Sequence, residues 1–343
     1  GSRIEDRGSR INSPDNRHLT PHTSYPTTVN MSFRIIFMGT PEFAVASLDA
    51  LVKAGHDIVG VVTAPDKPAG RGMKMQQSAV KKYAEEHGLN VLQPVKLKDP
   101  AFLNELQALN ADLQVVVAFR MLPEQVWNMP PKGTINVHGS LLPQYRGAAP
   151  INRAIMNGEI VTGVTTFKLK HEIDTGDVLL SEAIPIGPDE TAGELHDRMK
   201  DVGAQLLVRT IEGLEEGGLK ETPQATIAAD GKHAPKLFTE DCRIDWTHGV
   251  KAVHDQVRGL SPHPGAFTTL DGKTLKIYRT RYERTDRSAS TGQWETYGRK
   301  WLRFRAADGW VYPLEVQWEG KKRMGVEDFL RGYRKPGETP GPE

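Results

Sequence analysis

The stretch Gly133–Pro150 decides the fold, and it reads G-T-I-N-V-H-G-S-L-L-P-Q-Y-R-G-A-A-P. Thr134–Val137 is short and β-branched, which predicts a buried strand. Alternate side chains of a strand share one face, so Asn136 and His138 are expected to point the same way. They lie at the carboxyl end of that strand, where α/β sheets bind ligands. The glycines and prolines that follow predict a loop.

A carboxylate follows thirty-six residues after His138, where Ile173–Asp177 reads I-D-T-G-D and places Asp174 in a tight turn. A carboxamide such as that of Asn136 can hydrogen-bond a carbonyl oxygen, and an imidazole can carry a proton near neutral pH. One hypothesis is a shared catalytic site. The other is that Asn136 and His138 form an ordinary polar pair and that Asp174 only makes a turn. The residues alone leave both open.

Three motifs resemble the folate-dependent formyltransferases: N-V-H-G-S-L-L-P at 136–143, Y-R-G-A-A-P-I at 145–151 and D-T-G-D at 174–177. The amino-acid sequences of these motifs are similar to those of family members that formylate methionyl-initiator-tRNA. The resemblance runs from Phe33 to about Arg334. It implies an α/β fold in which a Rossmann-like, mostly parallel sheet is flanked by helices. A small C-terminal β-barrel of the oligonucleotide-binding (OB-fold) kind is implied to follow.

The resemblance also implies an activity, the transfer of a formyl group from 10-formyltetrahydrofolate to the α-amino group of methionyl-initiator-tRNA. The matched catalytic positions are Asn136, His138 and Asp174. Folate would meet two segments, whose residues are Ser140, Leu141, Leu142, Pro143, Ala118, Met121 and Leu122. Arg120 departs from the small residue and Tyr that the family usually carries in the segment lining the pterin pocket, which leaves the roles of 118–123 open.

A basic loop, Ala64–Met75, reads A-P-D-K-P-A-G-R-G-M-K-M and is longer than common connections between a strand and a helix. Such a loop is either a solvated flap or an arm that contacts phosphates. The resemblance implies the second, with Lys67, Arg71 and Lys74 meeting the acceptor end of tRNA and Arg71 as the principal contact.

Composition bounds the remaining possibilities. The 343 residues suffice for two domains, and 38% hydrophobic with 25% charged residues is an ordinary soluble composition. The single cysteine, Cys242, excludes an internal disulfide and favours a reducing, cytoplasmic setting. We expect no membrane span and a monomer. His248 and His254 are six residues apart, which matches no usual zinc spacing, so no metal is expected.

Positive charge is concentrated near the carboxyl end. The whole chain has a net charge of only +1, but Lys273–Lys335 holds 16 Lys and Arg against 8 Asp and Glu. This distribution favours a nucleic-acid-binding surface. The alternative is that a small β domain is basic by chance.

Two helix starts are predicted from capping residues. After the apolar strand Phe33–Met38, Thr40 is expected to be the N-cap of a helix with Pro41 at its first position. This opening lacks G-x-G-x-x-G, so a dinucleotide site is weakly supported. Thr191-x-x-Glu194 is a capping box that predicts a second helix.

The expected domain organisation has five parts. They are a disordered leader or tail over 1–30 with Met31 as the natural start, a folate-binding catalytic domain over 31–217, a linker over 218–240, a tRNA-binding β-barrel over 241–334 and a disordered tail over 335–343.

Three rivals to the leading hypothesis stay open at this point. The first is a formyltransferase acting on an amino-sugar nucleotide or other small amine, which would keep Asn136, His138 and Asp174 but would need neither basic region. The second is a non-catalytic RNA-binding protein. A nicotinamide oxidoreductase is the third, and the missing glycine fingerprint argues against it.

Overall fold

The computed structural model describes residues 32–226 and 231–334. The expected leader over 1–30 and tail over 335–343 lie outside the described residues. The elements of the first part are, in order, β1 (Arg34–Gly39), α1 (Glu42–Lys53), β2 (Asp57–Val62), β3 (Lys67–Ala69), β4 (Lys74–Gln76), α2 (Ala79–Glu86), β5 (Val91–Leu92), α3 (Pro100–Ala108), β6 (Leu113–Val117), α4 (Glu124–Trp127), β7 (Thr134–His138), α5 (Pro150–Met156), β8 (Val161–Lys168), β9 (Val178–Pro185) and α6 (Ala192–Glu216).

Seven of these strands form one sheet in the order β5-β2-β1-β6-β7-β8-β9. The five strands from β5 to β7 are parallel, and β8 and β9 run antiparallel to their neighbours. The parallel strands β1 and β6 are mostly apolar and buried because helices cover both faces of the sheet. The expected Rossmann-like, mostly parallel sheet is confirmed.

The register of the sheet places the predicted residues at one edge. Val116 on β6 pairs with Asn136 on β7, so Ala118 and His138 stand at the ends of neighbouring parallel strands. The basic segment starts at the same edge, because it follows the carboxyl end of β2. The carboxyl edge of this sheet therefore gathers the candidate site.

The two predicted helix starts have different outcomes. Helix α1 begins at Glu42 with Pro41 as its N-cap and without a side-chain cap, so the prediction that Thr40 caps it is wrong. Thr40 lies one residue too early, and its carbonyl oxygen accepts from the backbone N–H of Val80 at 3.3 Å. The capping box of α6 is confirmed, with both reciprocal hydrogen bonds present.

The later part of the chain builds an antiparallel sheet of its own. After a 3-10 turn at Gln224–Thr226, its elements are α7 (Thr239–Cys242), α8 (Val250–Gly259), β10 (Ala266–Leu270), β11 (Lys273–Arg284), β12 (Trp294–Tyr297), β13 (Trp301–Ala306), β14 (Gly309–Trp318), β15 (Arg323–Gly325) and α9 (Val326–Gly332). The strand order is β10-β11-β14-β13-β12, and β15 pairs with β14. This sheet packs its own apolar core against α8 and α9. The expected C-terminal β domain is confirmed as an antiparallel sheet.

Helix α8 also joins this sheet to the first part of the chain. Arg258 is buried, pairs with the carboxylate of Asp255 at 2.8 Å, and donates to the carbonyl oxygens of Gly187 and Glu190 at 3.1 Å each. A buried charge needs such partners. The contact between the two parts is therefore specific rather than a loose tether.

Within residues 32–226 and 231–334, every helix is too short or too polar to cross a lipid bilayer.

Candidate active site

His138 ends β7, is buried, and lies close to Asp174. Its Nε2 is 2.8 Å from the carbonyl oxygen of Tyr145, and because a carbonyl can only accept, Nε2 carries the proton. Its Nδ1 is 3.7 Å from Oδ2 of Asp174. The structure thus brings together the imidazole and the carboxylate that the sequence places thirty-six residues apart.

The turn that carries Asp174 doubles back toward β7. It starts beside the first residue of that strand, since the Leu169 N–H donates to the Thr134 carbonyl at 2.8 Å. Asp174 has a positive φ of 54°, an uncommon conformation for a residue other than glycine. Gly176 must stay glycine, because a Cβ there would overlap the carbonyl oxygen of Lys168.

Asn136 is half-buried and shares the His138 face of β7 by the strand's alternation. Its carboxamide makes no hydrogen bond with any other residue in the part of the chain that the structure describes. Since an amide NH₂ is a pair of donors, this group is available to a ligand oxygen beside His138.

Three consecutive residues bracket the histidine and the aspartate. The carbonyl of Tyr145 accepts from His138, and the backbone N–H of Gly147 donates to Oδ2 of Asp174 at 3.0 Å. Between them, the side chain of Arg146 points to a neighbouring segment. Tyr145 and Gly147 both have positive φ, of 56° and 124°, which allows the successive groups to face inward.

Sequence reasoning missed Gln224, which lies in the expected linker. This side chain is 2% exposed, and its Nε2 donates to the carbonyls of Asp174 and Gly176 at 2.7 and 2.8 Å. Its Oε1 accepts from Nε and Nη2 of Arg146 at 3.0 and 2.6 Å. The amide thereby uses both donors and both acceptor positions. A lone glutamine in a polar stretch gives no pattern from which to predict this.

The expected linker also forms an outer wall of the site. Lys232–Ala234 runs beside the bracketing residues: the Tyr145 N–H donates to the Lys232 carbonyl at 2.5 Å, and the Ala234 N–H to the Arg146 carbonyl at 2.8 Å. A Cβ on Gly147 would overlap the Ala234 carbonyl, so only glycine permits this approach.

The hydroxyl end of Tyr145 is fixed by a cluster of polar side chains. Its hydroxyl donates to Glu159 at 2.6 Å and accepts from the amide of Asn157 at 3.1 Å, and Lys232 pairs with the same carboxylate. Burial, together with the Glu159 hydrogen bond, raises the pKa of the Tyr145 phenol above its usual range. The phenol therefore stays protonated and serves to fix the loop.

The S-L-L-P segment turns its side chains inward. Ser140 is fully buried and its hydroxyl donates to the Gln144 carbonyl at 2.6 Å. Leu142 is buried against Phe167, and its N–H donates to the Thr165 hydroxyl at 3.1 Å. Pro143 is buried as well, while Leu141 is half-buried. A ligand at this loop would therefore meet backbone groups rather than the Ser140 hydroxyl or the Leu142 side chain.

The segment after β6 lines an open cleft of about 600 Å³. Ala118 is exposed with a φ of 48°, Met121 is 72% exposed, and Leu122 is buried at the base. Arg120 donates to the carbonyls at 94 and 95, at 2.6 and 2.9 Å. Arg120, which departs from the family pattern, thus links the segment after β6 to the loop at residues 94–95.

The basic segment is a short hairpin, β3–β4, where a loop was expected. Lys67, Arg71 and Lys74 are exposed on it, and none of them pairs with a carboxylate among the residues described. At its base, Asp66 pairs with Lys81 at 2.8 Å. The hairpin thus presents three exposed cations, and its base is anchored by the Asp66–Lys81 ion pair.

Over the described ranges there is no group of three or more His, Cys, Asp or Glu that could hold a metal. His254, one of the two histidines considered above, has a structural role. It is buried, with Nδ1 2.7 Å from the Thr280 hydroxyl and Nε2 3.0 Å from the Asp189 carboxylate.

The later sheet carries exposed cations and stacked rings. Tyr297, 61% exposed, stacks on Trp301 with centroids 5.6 Å apart, and Arg281 lies 3.7 Å from the ring centre of Tyr312. Arg299 and Lys300 lie in the turn between the stacked rings, and they form no ion pair with a described residue. This surface combines the two features that bind single-stranded nucleic acid, positive charge and aromatic faces.

Family models match nearly all of the described chain. The model described as formyl transferase matches residues 33–211, and the model of the formyl transferase C-terminal domain matches residues 236–334.

Curated relatives are similar over almost their whole lengths. The chain is 49% identical over 307 residues to a methionyl-tRNA formyltransferase of Bacteroides fragilis, covering 88% of this chain and 95% of that protein. It is 50% identical over 314 residues to a methionyl-tRNA formyltransferase of Parabacteroides distasonis, covering 89% and 97%.

Solved structures share the fold at low sequence identity. HypX from Aquifex aeolicus in complex with tetrahydrofolic acid gives a TM-score of 0.61 at 20% identity over 87% of this chain, which spans about half (47%) of that protein. The N-formyltransferase from Helicobacter canadensis, in complex with folinic acid and dTDP-3-aminofucose, gives 0.59 at 20% identity, covering 82% of this chain and 98% of that one.

Proposed function

The chain belongs to the formyl transferase family, and from that premise we propose that it formylates the α-amino group of methionyl-initiator-tRNA. The formyl donor is 10-formyltetrahydrofolate, and the product is N-formylmethionyl-tRNA for translation initiation. The observation that carries the proposal is the His138–Asp174 pair beside the free Asn136 amide, at the sheet edge from which the cationic hairpin starts. The relatives that are 49–50% identical bear the same activity in their names.

Formyl transfer from a folate nitrogen to an amine is acyl transfer. The neutral amine attacks the formyl carbon, negative charge develops on the formyl oxygen, and a proton must move from the attacking to the leaving nitrogen. Asn136 donates to the developing oxyanion, for which its unused carboxamide is suited. Asp174 receives the amine proton, directly or through one water.

His138 supports the roles of both Asn136 and Asp174. Its Nε2–H is fixed on the Tyr145 carbonyl, so Nδ1 is the nitrogen that faces Asp174. When both nitrogens are protonated, the imidazolium offsets the negative charge of the oxyanion and of the carboxylate. The reaction needs no covalent enzyme intermediate and no metal.

Folate is placed between the two segments that the resemblance implies. The backbone of Ser140–Pro143 begins two residues after His138, and Ala118 directly follows the neighbouring strand β6. The open cleft of about 600 Å³ beside Met121 and Leu122 is large enough for a bicyclic ring. Its lining mixes apolar side chains, among them Leu97 and Met121, with polar ones such as Gln125, which suits a pterin that has both a flat ring face and polar edges.

The tRNA substrate is assigned to the hairpin and to the later sheet. Lys67, Arg71 and Lys74 would contact phosphates near the acceptor end, because they are exposed and their hairpin starts at the edge of the site. The rings and cations around Tyr297 would extend the contact along the tRNA.

The proposed organisation follows the two sheets. We assign catalysis to 31–217, the connection to 218–240 and tRNA binding to 241–334. Each sheet has its own apolar core, which supports this division. The proposal describes a monomer that acts in the cytoplasm, beside the translation machinery that uses its product.

The alternative is formylation of an amino-sugar nucleotide or another small amine. Such an acceptor would use the same three catalytic residues but would leave the hairpin cations and the basic C-terminal sheet without a role. The hairpin cations are exposed and have no carboxylate partner among the described residues, which favours tRNA as the acceptor.

The deciding experiment supplies labelled 10-formyltetrahydrofolate with each acceptor in turn. We expect label in methionyl-initiator-tRNA and none in a dTDP-amino sugar, and the His138→Ala variant serves as the inactive control. Label only in the amino sugar would establish the alternative, and label in neither would contradict both.

A further inference from the structure

Asp174 depends on groups outside its own turn. Its φ of 54° lies in the left-handed region that few residues other than glycine adopt, and the adjoining Ile173 is 59% exposed, so that residue adds little packing. Apart from His138, its carboxylate has one partner among the described residues, the Gly147 N–H. The backbone of the turn is held by another residue.

That residue is Gln224. Its Nε2 bridges the carbonyls of Asp174 and Gly176, which lie on either side of one peptide unit of the turn. Two hydrogen bonds from one rigid amide fix the rotation of that segment, and the direction of the Asp174 side chain depends on it. The contact comes from fifty residues further along the chain.

Gln224 is itself held on both sides. Thr222, two residues before it, exchanges two backbone hydrogen bonds with Val178 at 2.8 and 2.9 Å, which anchors the segment to the start of β9. On the other side, two donors of Arg146 converge on its Oε1. The amide therefore links the Asp174 turn to the residues that bracket His138.

We propose that Gln224 is a positioning residue for formyl transfer, which sets the Asp174 carboxylate at the distance from His138 and from the amine that proton transfer requires. The inference rests on the proposed function, since it assigns Asp174 the amine proton. It adds to the site a residue from the connection between the two sheets, and it gives Arg146 a role as the partner that orients the Gln224 amide.

Gln224→Ala is the first test. A displacement of about 1 Å at a catalytic group can lower turnover about a hundredfold, so we expect kcat to fall between tenfold and a hundredfold. The KM values for both substrates should stay within about twofold, because neither substrate touches Gln224 in this proposal. An unchanged kcat would overturn the inference.

Gln256→Ala is the matched control. The Nε2 of Gln256 also donates to two backbone carbonyls, those of Asp241 and Arg243, at 3.1 and 3.0 Å, but it lies on α8. Both variants lose two such hydrogen bonds, and Gln224→Ala also loses the two from Arg146, so its melting temperature should fall at least as far as that of Gln256→Ala. Only Gln224→Ala should lose turnover. Equal losses of kcat in both would show a general effect of stability and would overturn the inference.

A double-mutant cycle with Asp174→Asn separates positioning from structure. If Gln224 acts through the carboxylate, Gln224→Ala should cost less than about twofold in a chain that already carries Asp174→Asn. Full additivity would overturn the inference. Gln224→Asn keeps the amide but shortens its reach. It should give an intermediate kcat, and it replaces the alanine variant in the cycle if that chain does not fold.

Turnover in the double-mutant cycle is measured with whichever amine acceptor the wild-type chain formylates. Failure of wild type to label methionyl-tRNA therefore contradicts the proposed function, and an inert Gln224→Ala contradicts the positioning role alone.

Discussion

Removing the cations of the β3–β4 hairpin should weaken tRNA binding in proportion to the phosphates they contact. Arg71→Ala removes one guanidinium, and the triple variant at Lys67, Arg71 and Lys74 removes all three charges. These side chains are exposed and form no ion pair with any described residue, so their loss leaves no buried carboxylate without a partner. The fold should therefore be unaffected.

The magnitude follows from counterion release. Each phosphate contact contributes roughly 0.7 to 0.9 to the slope of log affinity against log salt. Between 50 and 200 mM salt, one contact therefore changes affinity by about threefold. Arg71→Ala should reduce the slope by about one contact, and the triple variant by about two to three contacts, which is roughly sevenfold to fortyfold over that range.

The assay is a fluorescence titration of labelled methionyl-initiator-tRNA at several salt concentrations. Lys53→Ala is the matched control, since it removes one exposed charge at the end of α1, at the opposite edge of the sheet. We expect its slope to equal that of wild type. Arg71→Lys should restore charge but only part of the affinity, because a Lys cannot form the forked contact of a guanidinium.

Superimposable salt curves for wild type and the triple variant would refute the reasoning. The hairpin would then be a solvated flap, and the small-amine acceptor would become the better hypothesis.

Three further predictions concern the catalytic residues, the donor and acid stability. Asn136→Ala, His138→Ala and Asp174→Ala should each lower turnover on the order of a hundredfold or more with unchanged circular dichroism, and near-normal turnover of Asp174→Ala would contradict its role. A folate analogue at about 100 times its Kd should stabilise the fold by about 2.7 kcal/mol in a thermal melt, whereas NAD(P) should not, and the reverse result would favour an oxidoreductase. Hydrogen bonds from the Thr191 backbone and from Arg279 lower the pKa of Glu194 below its ordinary value of 4.5, so the stability that they contribute is present above that pH and is lost as pH falls through the lowered value. The melting-temperature advantage of wild type over Glu194→Gln should therefore shrink in acid, and an advantage that is constant with pH would contradict this assignment.

The main elements of the fold were predictable because they depend on local patterns. The apolar runs of β1 and β6, and the alternation that puts Asn136 on the same face as His138, follow from strand geometry alone. The cap at Thr40 was predicted wrongly, since the helix starts one residue later than its capping pattern indicates.

The architecture around the His138–Asp174 pair was not predictable in the same way. The approach of Asp174 to His138 was implied only by resemblance, because it depends on a turn that doubles back over the sheet. The contact of Gln224 with that turn depends on tertiary packing across fifty residues. Polar, irregular sequence around Gln224 predicts a linker, and nothing in its composition indicates that it is buried.

The connection, residues 218–240, packs against the loop that contains Tyr145 and Gly147. The first sheet therefore cannot be transferred to another protein without that connection. A fragment cut at Leu219 would end before Gln224 and before the Lys232–Ala234 stretch that pairs with the bracketing loop. Loss of activity in such a fragment would report a damaged active site as well as a missing tRNA-binding sheet. A chimera that exchanges the C-terminal sheet should therefore be joined after Pro235, so that the His138–Asp174 pair keeps Gln224 and the Lys232–Ala234 stretch.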